Sequence, residues 1–128
     1  MTCRRRLDDG SAVVDFVLVL LVLVPFVLGV VQVALVLHVR NTLAAAAAEG
    51  ARYAATADHG PAAGEAVTRE QVDDAVAGRF AQDISVTRTS VGGQPMVAVT
   101  VRARVPALGL GGPGVALEVT GHAVEEQR

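Results

Sequence analysis

The sequence predicts a membrane-anchored α+β protein, in which a long N-terminal transmembrane helix extends outside the membrane and precedes a short helix and a three-stranded antiparallel sheet. Three observations lead to this prediction. Residues 16–37 carry no formal charge, and at about 1.5 Å per residue a helix of this length spans roughly 33 Å, which is one bilayer crossing. An Ala-rich stretch follows the span. Beyond it, apolar and polar residues alternate in short runs bounded by Gly and Pro, as they do in strands.

The orientation of the span follows from the arginines around it. Arg4, Arg5 and Arg6 precede the apolar run, whereas Arg40 and Arg52 follow it. Because cytoplasmic flanks are enriched in Lys and Arg, this distribution predicts a single-pass protein of the cell membrane with a cytoplasmic N-terminus and an extracytoplasmic C-terminal domain. The alternative is a secretory signal cleaved at alanines 44–48, but the apolar core of such a signal is typically about 7–15 residues long, shorter than this run.

Polar residues and a proline lie within the apolar helix. Asp15 stands at its start, and a carboxylate at the bilayer centre costs about 2.5–3.5 kcal/mol on insertion scales. Asp15 therefore needs a cationic partner, unless it sits solvated at headgroup depth. Gln32 can form a hydrogen bond with another helix in the membrane. Pro25 frees a backbone carbonyl in mid-span and tends to kink the helix.

The helix is expected to continue beyond the membrane. Residues 41–55 are rich in Ala and Leu, and only Gly50 opposes helix formation there. An Ala-rich helix suits close packing against other helices, as in a filament core, and it suits a rigid stalk equally well. Breaker residues at 58–61 then end the helix.

The outer domain is predicted to contain one short helix and a β-meander. Thr68 begins a capping-box pattern, and apolar residues at intervals of four predict a helix to about Gln82. Strands are predicted at residues 84–91, 97–105 and 115–124, with a turn at Gly92-Gly93 and with Leu117 and Val119 facing inward. So small a domain without a disulfide cannot hold a large core, so we expect it to be stabilised by docking on the long helix or on a partner.

Several function classes are excluded by composition and motif content. A net charge of -2 with scattered arginines forms no basic patch for nucleic acid. Cys3 is the only cysteine, so neither an intramolecular disulfide nor a cysteine metal cluster is expected. The three histidines are widely separated, and no serine has a histidine signal near it. The sequence therefore predicts no catalytic residue, no metal, no cofactor and no small-molecule substrate.

The N-terminal junction carries a family resemblance. The run Gly10-Ser11-Ala12-Val13-Val14-Asp15-Phe16 resembles the processing site of type IV pilin-like proteins. With Pro25, Gly29, Gln32, Arg40-Asn41-Thr42-Leu43 and the segment Glu49-Gly50-Ala51-Arg52-Tyr53-Ala54, the chain resembles the TadE-like family of the tight-adherence (Flp) pilus assembly system over about residues 4–55. It departs from the family pattern at Asp15, where the family usually has Glu, and at Gln32, where Glu is frequent.

The resemblance implies a function and a processing site. A prepilin peptidase would cleave between Gly10 and Ser11, and Asp15 followed by Phe16 would act as a docking or register acid. The freed amine of Ser11 would lie about one helical turn from Asp15 of the same chain, or it would meet Asp15 of a neighbouring subunit. In either case, pairing would offset the free-energy cost of placing the Asp15 carboxylate in lipid. The expected partners are the membrane, the peptidase, other pilin-like subunits and pilus assembly platform proteins.

These inferences divide the chain into four parts. Residues 1–10 are predicted to be a cytoplasmic leader, 11–55 the transmembrane helix and its Ala-rich extension, 56–64 a linker, and 65–128 a small extracytoplasmic α+β domain. The predicted function is that of a minor pilin or pseudopilin in pilus assembly, adhesion or secretion. The alternative is an unprocessed single-pass anchor whose outer domain binds an envelope protein.

Overall fold

The structure is a computed structural model that describes residues 6–56, 58–108 and 112–126. It confirms the predicted fold class of a long N-terminal apolar helix, a short helix and a three-stranded antiparallel sheet. In chain order the elements are α1 (Arg6–Ala55), α2 (Pro61–Asp74), a 3₁₀ turn (Val76–Phe80), β1 (Ala81–Val91), β2 (Gln94–Val105) and β3 (Val115–Val124).

The chain forms two compact units that divide within α1. The first, here the anchor unit, ends at Ala34, and the second, here the globular unit, begins at Leu35. The Ala-rich extension therefore belongs to the same compact unit as α2 and the sheet. The predicted leader at 1–10 and the predicted cleavage that defines it stay predictions.

Between Gly10 and Ala34, the anchor unit is a helix with apolar side chains on all sides. α1 continues through Pro25, and its segment Gly10–Ala55 is long and apolar enough to cross a membrane. The large apolar side chains of this unit are mostly exposed, as for Phe16, Leu21 and Phe26. A helix that is hydrophobic all round requires an apolar environment, which a bilayer supplies. The helix thus fits a single-pass membrane protein.

The globular unit is built on one side of the second half of α1. Small and branched side chains of α1 are buried against the inner face of the sheet in a common core. Its α1 members are Val39, Leu43, Ala46, Ala47 and Ala51, and its strand members are Val99, Val101, Ala103, Val105 and Val119. Each fully buried Val or Leu side chain contributes about 1.5–3 kcal/mol relative to exposure. The outer domain is therefore stabilised by the long helix, as its small size predicted.

The sheet is an antiparallel meander in the order β1-β2-β3. In β2, Val99 and Val101 are buried, whereas Arg102 and Arg104 on the other face are exposed. Val91 pairs with Gln94, so the β1–β2 hairpin has a two-residue turn, Gly92-Gly93. Both glycines have positive φ (62° and 84°), as tight hairpin turns of this kind require.

The start of α2 differs from the prediction. The helix begins at Pro61, within the segment predicted to be a linker, and the capping-box prediction at Thr68 is wrong. Proline at the first helical position has a preset φ, and Gly60 before it is extended, so the helix starts there. Thr68 instead lies in the helix interior, where its buried hydroxyl donates a hydrogen bond to the Gly64 carbonyl (2.8 Å).

The end of α2 and the first strand ends also differ. α2 stops at Asp74, and the 3₁₀ turn occupies residues that were predicted to continue the helix. Gly78 in this turn lies close to the Val72 carbonyl, where a Cβ would be 2.7 Å from the oxygen, so the chain folds back tightly there. β1 begins at Ala81 and β2 at Gln94, each a few residues before its predicted start, whereas β3 has its predicted bounds.

Candidate functional site: the N-terminal junction and residues 49–54

The predicted processing junction lies inside α1. Gly10 and Ser11 are helical and exposed, and a Cβ added to Gly10 would meet nothing within 4 Å. Ser11 and Asp15 are separated by one turn, so they lie on the same side of the helix, with Cβ atoms about 5–6 Å apart. The junction is thus accessible, and a cation at Ser11 would be within reach of the Asp15 carboxylate.

Asp15 is the only formally charged residue in the sequence between Gly10 and Val39. It is exposed, as is the neighbouring Phe16, so neither side chain is engaged in the core of the globular unit. An acid in this position would meet lipid, headgroups or another chain. The structure therefore leaves Asp15 available for the docking role that the resemblance implies, and that role stays a prediction.

Gln32 lies further along the apolar helix. It is half-buried and already makes an interaction within the chain. The predicted contact between Gln32 and another helix in the membrane stays a prediction.

Residues 49–54 form the second part of the family pattern, and the structure divides them by face. Gly50, Ala51 and Ala54 are buried, whereas Arg52 and Tyr53 are exposed. Glu49, also exposed, pairs with Arg52 across one turn (3.6 Å). The small residues of the pattern thus serve packing inside the globular unit, and its charged pair faces outward.

Gly50 permits the close approach of α1 and α2, a role that the sequence analysis missed. A Cβ at Gly50 would overlap the Thr68 hydroxyl and lie 2.8 Å from the Gly64 carbonyl oxygen. Reciprocally, a Cβ at Gly64 would lie 2.5 Å from the Ala54 Cβ. The signal was present in the sequence as glycines and small residues spaced at four in both helices, a spacing typical of helices in close contact.

β3 approaches α1 just as closely. A Cβ at Gly121 would lie 2.5 Å from the carbonyl carbon of Ala47. At the end of β3, the Glu126 amide donates a hydrogen bond to the Ala55 carbonyl (2.9 Å), which satisfies one of the free carbonyls at the end of α1. The Thr56 hydroxyl donates to the Tyr53 carbonyl (2.7 Å) in the same region. α1 therefore ends in a well-bonded cap.

The outer face of the sheet is polar. Arg102 donates to Glu118 (3.0 Å) and also lies 3.9 Å from Asp83. The hydrogen bond to Glu118 and the charge of that carboxylate raise the pKa of Arg102 above its ordinary value, so this arginine stays charged. The Thr100 and Thr120 hydroxyls, two residues along the strands from the Arg102–Glu118 pair, are hydrogen-bonded to each other (3.1 Å).

In the part of the chain that the structure describes, no group of three or more His, Cys, Asp or Glu could hold a metal ion.

Fold and junction together define a class of protein: a single N-terminal apolar helix fit to cross a membrane, joined to a small α+β domain. The family model described as TadE-like protein matches residues 10–52, which include the junction, the span and most of the Ala-rich segment. The match confirms the resemblance drawn from the sequence. No curated protein and no solved structure matches the chain.

Proposed function

We propose that this chain is a minor pilin or pseudopilin, which a prepilin peptidase cleaves between Gly10 and Ser11 and which acts in Tad pilus assembly, adhesion or secretion. The observation that carries the proposal is the exposed junction of Gly10 and Ser11, with an acid one turn later and an uncharged helix behind it. Hydrolysis of this peptide bond would leave a carboxylate on Gly10 and an amine on Ser11.

Cleavage requires the helix to open at the junction. Gly10 is helical, and glycine in a helix interior is about 1 kcal/mol less favourable than alanine. A Cβ added at Gly10 would meet nothing within 4 Å outside the helix's own backbone. Gly10 therefore lowers the free energy needed to unwind the helix at this point, which favours presentation of the Gly10–Ser11 peptide bond to a peptidase.

The new amine gives Asp15 its partner. A carboxylate in lipid without a cation is costly, and the Ser11 amine would lie on the same side of the helix. The pair can form within one chain or between neighbouring subunits. In an assembly, two neighbouring helices would favour the relative position that brings the Ser11 amine of one chain next to the Asp15 carboxylate of the other. Asp15 would therefore set the register between subunits.

The exposed apolar surface of the anchor unit would serve in two environments. In the membrane, lipid covers side chains such as Leu18, Val22 and Phe26. During assembly, the same side chains would pack against the helices of neighbouring subunits. Because lipid tails are as apolar as these side chains, helix packing and paired polar groups would decide the transfer.

A second function is favoured by the outer face of the sheet. Its exposed row of Asp83, Arg102 and Glu118 is covered by no element of the described chain. An unprocessed anchor could use this face to bind an envelope protein. In that case cleavage at Gly10 would be absent.

Matched glycine variants test the processing step. A Cβ added at Gly10 or at Gly29 would meet open space, so Gly10→Leu and Gly29→Leu are matched at the Cβ position. We expect Gly10→Leu to abolish cleavage and Gly29→Leu to leave it intact, as read by intact mass with the peptidase co-expressed. Retention of Arg4–Arg6 in the wild-type protein would instead favour the unprocessed anchor.

The acid has its own test. We expect Asp15→Asn to lose assembly with pilus components, because a neutral amide cannot form an ion pair with the protonated Ser11 amine, whereas Asp15→Glu retains the charge and supports assembly. Co-isolation with the assembled pilus is the readout. Equal assembly by Asp15→Asn would contradict the register role.

A further inference from the structure

One end of the globular unit must lie next to the membrane, and two contacts identify it. Gly121 on β3 lies against the backbone of Ala47, and two residues beyond β3 the Glu126 amide donates a hydrogen bond to the Ala55 carbonyl. β3 therefore runs in the same direction as α1. With rises of about 3.3 Å per strand residue and 1.5 Å per helix residue, Val115 at the start of β3 falls roughly level with α1 residues 35–39. The predicted span ends at residue 37, so this is the membrane-proximal end.

The other elements reach the same end. α2 runs opposite to α1, because Gly64 lies beside Ala54 and Thr68 lies beside Gly50. The 3₁₀ turn after α2 is thereby brought toward the start of the globular unit. β1 then begins at Ala81, which pairs with Ala103 near the end of β2. Arg79 precedes β1 by two residues and so lies at the membrane-proximal end as well.

The arginines of the described chain divide by position. Four of them form ion pairs with carboxylates: Arg52, Arg69, Arg88 and Arg102. Within residues 10–56, 58–108 and 112–126, no ion pair involves Arg40, Arg79 or Arg104, and all three side chains are exposed. These three share the membrane-proximal end. The exposed Asp73 and Asp74 at the end of α2 lie toward the same end, but no described carboxylate is within ion-pair distance of the three arginines.

Apolar side chains accompany these arginines. From Val105 to Leu117 the sequence carries no charge, and Leu108 and Val115 are 37% and 42% exposed. The stem of Arg104 lies across Gly114, where a Cβ would be 2.9 Å from Arg104 Cγ. Exposed apolar groups beside cations match the headgroup region of a bilayer, where acyl chains meet phosphates.

We propose that Arg40, Arg79 and Arg104, with Leu108 and Val115, dock the globular unit on the anionic phospholipid surface of the bilayer that α1 spans. Guanidinium groups bind phosphate oxygens in bidentate fashion, and a basic residue near an anionic surface strengthens binding about fivefold. The proposal goes beyond the proposed function and holds whether or not Gly10 is cleaved, and on either side of the membrane.

The opposite end of the unit supplies the contrast. Glu126, Val91 and Val124 lie there and are exposed, and Glu125 beside them is paired with Arg88. An anionic surface would repel carboxylates, so the exposed valines at this end are not sufficient to bring it into contact with the membrane. Val115 and Val124 are the first and last residues of the same strand, which makes them a matched pair of probe positions.

A probe experiment on the full chain tests the docking. In a Cys3→Ser background, an environment-sensitive fluorophore is attached to Val115→Cys or to Val124→Cys, and the protein is reconstituted in vesicles of phosphatidylcholine with or without equimolar phosphatidylglycerol. We expect lipid-borne quenchers to act on the 115 probe, more strongly with phosphatidylglycerol, and to spare the 124 probe. Equal quenching at the two positions, or quenching at 115 that ignores lipid charge, would overturn the proposal.

Charge variants then assign the effect to the three arginines. Changing Arg40, Arg79 and Arg104 together to Gln should lower the ratio of docked to undocked protein by about fivefold for each arginine in anionic vesicles. The control changes Arg52, Arg69 and Arg88 to Gln and should leave quenching at 115 unchanged, because those arginines are already paired in the chain. An equal loss in both triple variants, or no loss in the first, would contradict the assignment.

Discussion

The two halves of α1 have the same backbone and opposite surroundings. In the anchor unit, Leu21 is 70% exposed, and the helix has large apolar side chains on every side. In the globular unit, Leu43 is fully buried, and small residues such as Ala47 and Gly50 face the sheet and α2. One half therefore finds its packing partners within the chain, whereas the other needs lipid or another protein.

The difference between the halves is one of side-chain size. Val, Leu and Phe around the whole helix keep any backbone at a distance, and they suit lipid or loosely fitted helices. Ala and Gly on one side let other backbones approach, as Gly121 and Gly64 do. A single long helix can thus serve as a membrane anchor and as the scaffold of a small domain.

The largest expected effect on stability comes from removing a buried side chain from the core of the globular unit. Leu43→Ala removes a fully buried side chain, and we expect it to lower the free energy of unfolding by about 2–5 kcal/mol. Leu21→Ala makes the same change on the exposed half and should leave the stability of the sheet unchanged. Chemical denaturation of the full chain in detergent, followed by the β-sheet circular dichroism signal, compares the two. Equal destabilisation would contradict the division of α1.

The next effect comes from adding one methyl group to each half. Gly50→Ala should destabilise the globular unit by about 1–3 kcal/mol, because the new Cβ meets the Gly64 carbonyl oxygen, which cannot move without shifting α2. This cost exceeds the gain in helix propensity of about 0.5–1 kcal/mol. Gly29→Ala has open space and should not destabilise the protein. A stabilising Gly50→Ala, in the same denaturation measurement, would refute the close helix contact.

A smaller effect is expected at the hydroxyl between the helices. Thr68 and Thr42 each donate a hydrogen bond to the carbonyl four residues earlier, but only Thr68 is buried. Thr68→Val should cost about 0.5–1.5 kcal/mol, the typical net value of a hydrogen bond. Thr42→Val should be close to neutral because water replaces its bond. Thermal unfolding of the two variants is the test, and a larger loss at Thr42 would be inconsistent with the structure.

The smallest effect is expected on the outer sheet face. Arg102→Gln removes exposed ion pairs, which contribute little because solvent screens them. The raised pKa of Arg102 means that its contribution is present below the ordinary arginine range and is lost only above it. The difference in Tm between Arg102→Gln and wild type should therefore be equal at pH 7 and pH 9. A difference that changes between these two pH values would contradict this account.

The sequence predicted the elements whose patterns are long and periodic. The apolar run, the alternation in β2 and the Gly92-Gly93 turn each have one simple structural solution, and all were found. The start of α2 was missed because the Thr68 pattern competes with Pro61, and local residues alone do not decide between two possible starts. The tertiary contact does, since burial of Thr68 against Gly50 requires it to be inside the helix.

The candidate site was predictable only in part. The junction at Gly10, Ser11 and Asp15 is a local pattern, and it could be recognised from the residues themselves. The packing role of Gly50 depends on where α2 returns along α1. The grouping of Arg40, Arg79 and Arg104 depends on the directions of three elements that are distant in sequence, so no local pattern could reveal it.

Cysteine crosslinking along α1 tests most directly whether the exposed apolar surface of the anchor unit packs against other chains. In a Cys3→Ser background, single cysteines replace each residue of the exposed turn 21–24, so that one of them faces any neighbouring helix, and Leu43→Cys serves as the buried control. After oxidation of cells that assemble the pilus, the account predicts disulfide-linked species from the exposed turn and none from position 43. Crosslinking at position 43, or none at any position of the exposed turn, would contradict it.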